Sequence, residues 1–139
     1  MIYTASIETS ANTSEANAKK TELKVTDGVI HEVSVYFPPG CAGLVYCQIF
    51  EGGHQFVPST EGQFLRGDDI LIDSKEFYEI DDAPRWITVK TWNLDDTYDH
   101  TIEVMIKQLP KYVLLPVGAY EGIISALKSL VLRGITIPT

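Results

Sequence analysis

The sequence predicts a mainly β protein, an antiparallel β-sandwich of jelly-roll-like or Ig-like kind with a C-terminal amphipathic helix. Three observations lead there. Short runs alternate apolar and polar residues, the pattern of strands with one buried face. Clusters of Gly, Pro, Asn and Asp separate those runs. After Pro110 the apolar spacing changes from strand-like to helix-like.

Composition bounds the answer. A chain of 139 residues is one domain by default, and at 45% apolar residues it can bury a core without disulfide or metal staples. The formal net charge of −8 argues against a direct nucleic-acid partner, because phosphate binding needs clustered Lys and Arg. It also disfavours anionic membrane surfaces and suits a basic protein partner, or simply solubility.

The elements follow in order. Residues 2–9 form a short β-like run. Residues 10–20, SANTSEANAKK, are small and polar without an apolar anchor, so residues 1–20 are expected to be a flexible N-terminal arm. The opening MIYTASIETSANTS has neither a basic nor an apolar region of signal-peptide kind, and none is expected. Residues 21–110 are assigned to the sandwich. Within them Leu23 and Val25 share a face, and Asp27-Gly28 signals a tight turn. In Val29–Phe37, residues Val29, His31, Val33, Val35 and Phe37 share one face. Pro38, Pro39, Gly40 and Gly43 then supply a turn, and Val45, Cys47 and Ile49 align on a face of the next run. Together residues 29–50 read as a β-hairpin. Residues 51–69 read as a long Gly-punctuated connection with apolar anchors Phe56, Val57, Phe64 and Leu65. Ile70–Ile72 and Glu76–Ile80 read as short strands or turns, and Trp86–Trp92 and His100–Lys107 as well-patterned strands.

Residues 111–139 are assigned to the helix and tail. Over residues 119–133, Tyr120, Ile123, Ile124, Leu127, Leu130 and Val131 recur at helical spacing. This stripe covers the sandwich or a neighbouring subunit and is the candidate interaction surface. Pro116, Gly118, Glu121 and Gly122 break Tyr112–Ile124 too often for a transmembrane helix.

Chemistry-bearing residues are present but do not converge. Cys41 and Cys47 form no metal motif, and a bridge across so short a loop would be strained, so two free thiols are expected. His31, His54 and His100 lack ligand spacing; His31 and His100 would face each other only if their strands pair. Asp95, Asp96 and Asp99 read as an acidic turn rather than a Ca²⁺ loop. No nucleophile elbow, Walker motif or dinucleotide fingerprint occurs, so no catalytic residue, cofactor or metal is assigned and no enzyme activity is expected. Trp86 and Trp92, with Tyr46, Phe50 and Tyr36, could form an aromatic strip. With Phe56 of the 51–69 loop, the two tryptophans make a candidate ligand strip for a carbohydrate or small ligand; packing in a core or interface is the competing role.

The segments FPPGCAGL, Gln55 with Pro58-Ser59 and Gly62, Gly67-Asp68, and TWNLDDTYDHT span roughly residues 21–108. Here the chain resembles small β-sandwich structural proteins encoded by tailed phages and phage-like metagenomic contigs. The resemblance implies a non-enzymatic virion component: capsid decoration, head completion or tail-associated. It implies other copies of the chain or virion proteins as partners, and assembly in the host cytoplasm. It supplies no catalytic residue. A carbohydrate- or small-ligand-binding sandwich module is the alternative.

Overall fold

The computed structural model describes residues 1–82, 84–111 and 125–129. The alternating runs become strands β1 (Ile2–Thr9), β2 (Lys19–Val25), β3 (Gly28–Phe37), β4 (Val45–Glu51), β5 (His54–Val57), β6 (Leu65–Arg66), β7 (Ile70–Ile80), β8 (Arg85–Asn93) and β9 (His100–Leu109). One sheet has the order β1-β9-β3-β7. The other has the order β2-β8-β4-β5, with β6 also pairing with β4. Every pairing is antiparallel. Strand pairs nest from the outside in: β1 with β9, β2 with β8, β3 with β7 and β4 with β5.

The two sheets share one apolar core. The four-stranded sheet contributes Ile7, Ile30, Val33, Val35, Phe37, Ile80, Ile102, Val104 and Ile106. The five-stranded sheet contributes Val25, Val45, Cys47, Ile49, Phe56, Val57, Ile87 and Val89. Fully burying each such side chain contributes about 1.5–3 kcal/mol, which is why one-sided alternation specifies a two-layer arrangement.

Several expectations are corrected. Residues 1–20 are not a free arm: Ile2–Thr9 pairs with β9 along its whole length, and Ile7 lies in the core. Residues 10–18 are tied down as well. Thr13 and Asn93 exchange backbone hydrogen bonds of 2.8 and 3.0 Å, and Asn12 N–H donates to Asp95 O at 2.8 Å. The polar composition of 10–20 reports exposure, whereas order here comes from backbone bonding that composition does not encode.

The 29–50 stretch is not a hairpin. β3 and β4 lie in different sheets, and residues 38–44 cross between them. Asp68 Oδ1 holds this crossing by accepting from Gly40 N and Ala42 N, each at 2.9 Å. Gly40 and Gly43 sit at φ 103° and 71°, where a side chain would be strained. A bulge at His31 shifts the register of β3 against β9, so Ile30 rather than His31 joins Val33 in the core cluster, while Val29 is buried as well. The two short runs at 70–72 and 76–80 are one strand of 11 residues, and the 51–69 connection contains β5 and β6.

Among the expected helical positions, residues 125–129 are helical and Leu127 is exposed. Tyr120, Ile123, Ile124, Leu130 and Val131 lie outside the described residues.

Candidate interaction surface

The groups most suited to catalysis are committed to the fold. Asp95 follows Asn93, whose buried side chain donates to Thr9 O and Tyr98 O at 3.1 and 2.9 Å and accepts from Asp95 N at 3.0 Å. Asp95 Oδ1 caps the turn by accepting from Thr97 N and Tyr98 N, and its Oδ2 lies 2.7 Å from His100 Nε2. The His100 hydrogen bond, then the Thr97 amide, hold the Asp95 carboxyl below the usual carboxylate range. Asp99 accepts from Ala11 N at 2.8 Å and Asp96 from the Thr97 hydroxyl at 2.8 Å. The acidic turn is therefore a hydrogen-bonded corner. Among the described residues no group of three or more His, Cys, Asp or Glu is placed to hold a metal ion.

β3 and β9 do pair, but their register sets His31 beside Lys107 and Gln108, at the far end from His100. Both thiols are free and buried. Burial pushes Cys47 up to about 12, and burial with the Asp68 and Asp95 carboxylates raises Cys41, so neither is an activated nucleophile.

The expected ligand strip separates into three environments. Phe56 is a core residue stacked on Tyr78 at 4.7 Å. Trp92 is only 3% exposed: it stacks on Tyr46 at 5.2 Å and 1°, with Phe64 edge-on to both rings. Arg66 and Lys90 lie over Tyr46 and Trp92 at 5.5 and 5.4 Å. Trp86 remains 49% exposed and makes no ring contact among the described residues. Tyr36 lies in the other sheet, opposite Leu71 and Glu103.

Around Trp86 the register builds a groove on the outer face of the five-stranded sheet. Lys20 opposes Lys90, Glu22 opposes Thr88, and Lys24 opposes Trp86. Phe50 opposes Thr88 from the other side. One cavity of ≈ 420 Å³ is lined by Lys20, Glu22, Phe50, Gly53, Thr88 and Lys90. A second, of ≈ 380 Å³, shares Glu22, Gly53 and Thr88 with it and extends to Trp86 and Arg85. The side chains of Lys20, Glu22 and Lys24 have no hydrogen-bond or ion-pair partner among the described residues. In the sequence they stand as Lys-x-Glu-x-Lys, alternating with Thr21 and Leu23, and only the β2–β8 register places them beside Trp86.

No protein-family model matches the chain, and no curated protein matches it.

The second exposed feature is β7. It closes one edge of the four-stranded sheet and carries exposed Ile70, Leu71 and Phe77, the last 71% exposed. It has no proline, and its one lysine, Lys75, pairs with Glu32 at 3.0 Å. The alternating sequence 70–80 gave no sign of an edge, because edge position depends on distant pairing.

Proposed function

We propose that this chain is a non-enzymatic structural or assembly protein of a phage particle, acting through contacts with other copies or with virion proteins. Its nested antiparallel pairs, alternating between two sheets, have the jelly-roll order, an architecture used by viral capsid domains. The observation that carries the reading is the β7 edge. Among the described residues no strand pairs with the outer side of this 11-residue edge, which carries three exposed apolar side chains. Soluble proteins usually guard such an edge with charge, proline or a covering segment; here Asp73, Lys75 and Glu79 alternate with exposed Leu71 and Phe77, so charge guards the edge only in part. Left open, it can add to a strand of a neighbouring molecule. The hydrogen-bonded commitment of Asp95 and His100 and the raised Cys47 thiol support a role without catalysis.

The contact is tested by light scattering of the full chain over a concentration series. Species larger than the 15.5 kDa monomer are expected, and L71D/F77D should return them to monomer with an unchanged circular-dichroism spectrum. A strict monomer at all concentrations would remove self-assembly. Absence of the chain from mass spectra of purified particles would remove the virion role.

A further inference from the structure

We infer that the groove on the outer face of the five-stranded sheet is a binding site for an acidic oligosaccharide, a role separate from assembly at β7. The two adjoining cavities follow β8 from Lys90 to Trp86. At strand rise this is about 13 Å, long enough for more than one sugar ring. Exposed Trp86 at one end offers a flat aromatic face, which suits the C–H face of a pyranose. Glu22 and Thr88, shared by both cavities, face the centre with a carboxylate and a hydroxyl, the groups that bond sugar hydroxyls. A few polar groups converging on a mostly preformed concave surface are the usual makeup of a small-ligand site.

Charge selects the kind of sugar. Around the groove Lys20, Lys24, Lys90 and Arg85 stand against Glu22 and Glu51, a local positive excess in a chain of net charge −8. Arg85 pairs with Glu51 at 3.6 Å and Lys90 with Glu15 at 3.7 Å, so among the described residues Lys20 and Lys24 are the cations of the groove without a partner. They suit the carboxylates or sulfates of an acidic glycan. Single-stranded nucleic acid would also use aromatics and lysines. Glu22, however, lines both cavities, and its carboxylate can accept from sugar hydroxyls but not from a phosphodiester backbone, which has no donor.

The test is calorimetric titration of the full chain with an oligogalacturonate, a heparin-derived tetrasaccharide, neutral cellotetraose and ten-nucleotide oligo-dT. Saturable binding of at least one acidic saccharide, tighter than cellotetraose, is expected. Trp86→Ala should weaken it by at least about tenfold, the scale of losing a central aromatic anchor. The K20A/K24A variant should weaken acidic saccharides and leave the weak binding of cellotetraose unchanged. Glu22→Gln, which keeps the shape of the groove, should alter affinity while circular dichroism stays constant. No binding by either acidic saccharide, wild-type affinity in Trp86→Ala, or tighter binding of oligo-dT would each overturn the assignment.

Discussion

The two tryptophans of β8 stand on the same outer face of the same sheet, six residues apart, and have opposite fates. Trp92 is enclosed by Tyr46 and Phe64 with the Lys90 ammonium over its ring, beside the buried Asn93 and the corner made by Asp95 and His100. Trp86 stands half-exposed between Lys24 and a cavity, near polar side chains without partners. At one end of the strand Asn93, Asp95 and His100 are answered inside the molecule; at the other Arg85 pairs with Glu51, but Glu22 and Lys24 have no partner among the described residues. The density of histidines, acids and aromatics therefore does not mark a site here. The unanswered groups do, because a satisfied group has already spent its interaction on the fold.

The largest break in this comparison is Trp92→Ala. Removing a nearly buried indole from a stacked cluster should cost about 3–5 kcal/mol, because it forfeits both burial and ring contacts. Urea unfolding should show a lower midpoint with an unchanged slope. A loss under about 1 kcal/mol would mean that this end of β8 is not the committed end.

Acid titration sharpens the same contrast. The folded-state pKa of Asp95 is depressed, chiefly by His100, so its contribution is complete above the unfolded carboxylate pKa, near about 4. It is lost as pH falls through the lower folded value. Glu32, lowered mainly by its hydrogen bond to Lys75, acts with the same sign. Asp95→Asn should therefore be less stable than the wild type at neutral pH. It should also lose less on acidification, with Glu32 supplying part of the remaining slope. Parallel stability–pH curves for the two proteins would show that the corner is not held by this charge.

Local pattern carried the mainly β, antiparallel class and little of the topology. Strands β1, β8 and β9 were legible because alternation reports one buried face, and Cys47 and Ile49 were placed in the core for the same reason. Pairing was not legible. The turn Pro38-Pro39-Gly40 satisfies hairpin chemistry equally well when the chain crosses to the other sheet, and what holds it there is Asp68, 25 or more residues away. The bulge at His31 inverted one face of β3, since a single inserted residue defeats period-two counting. Phe56 resembled a loop aromatic until β5 paired with β4 and drew it inward. Of the surface strip, only Trp86 kept the exposure a binding role needs, and Glu22 and Lys24 became its neighbours through the β2–β8 register.

The smallest expected effect is the most discriminating. Trp86→Ala should change stability by no more than about 0.5 kcal/mol, the range for surface positions away from packed or hydrogen-bonded features. The reason is local. Half of the indole faces solvent, no ring packs on it among the described residues, and its cross-strand neighbour Lys24 has an uncommitted ammonium. A hydrophobic side chain that costs so little to remove contributes little to folding. If its loss also abolishes saccharide binding, the two ends of β8 divide cleanly into structure and function. If instead Trp86→Ala destabilises the protein as much as Trp92→Ala, both tryptophans serve packing and the contrast between the two ends disappears.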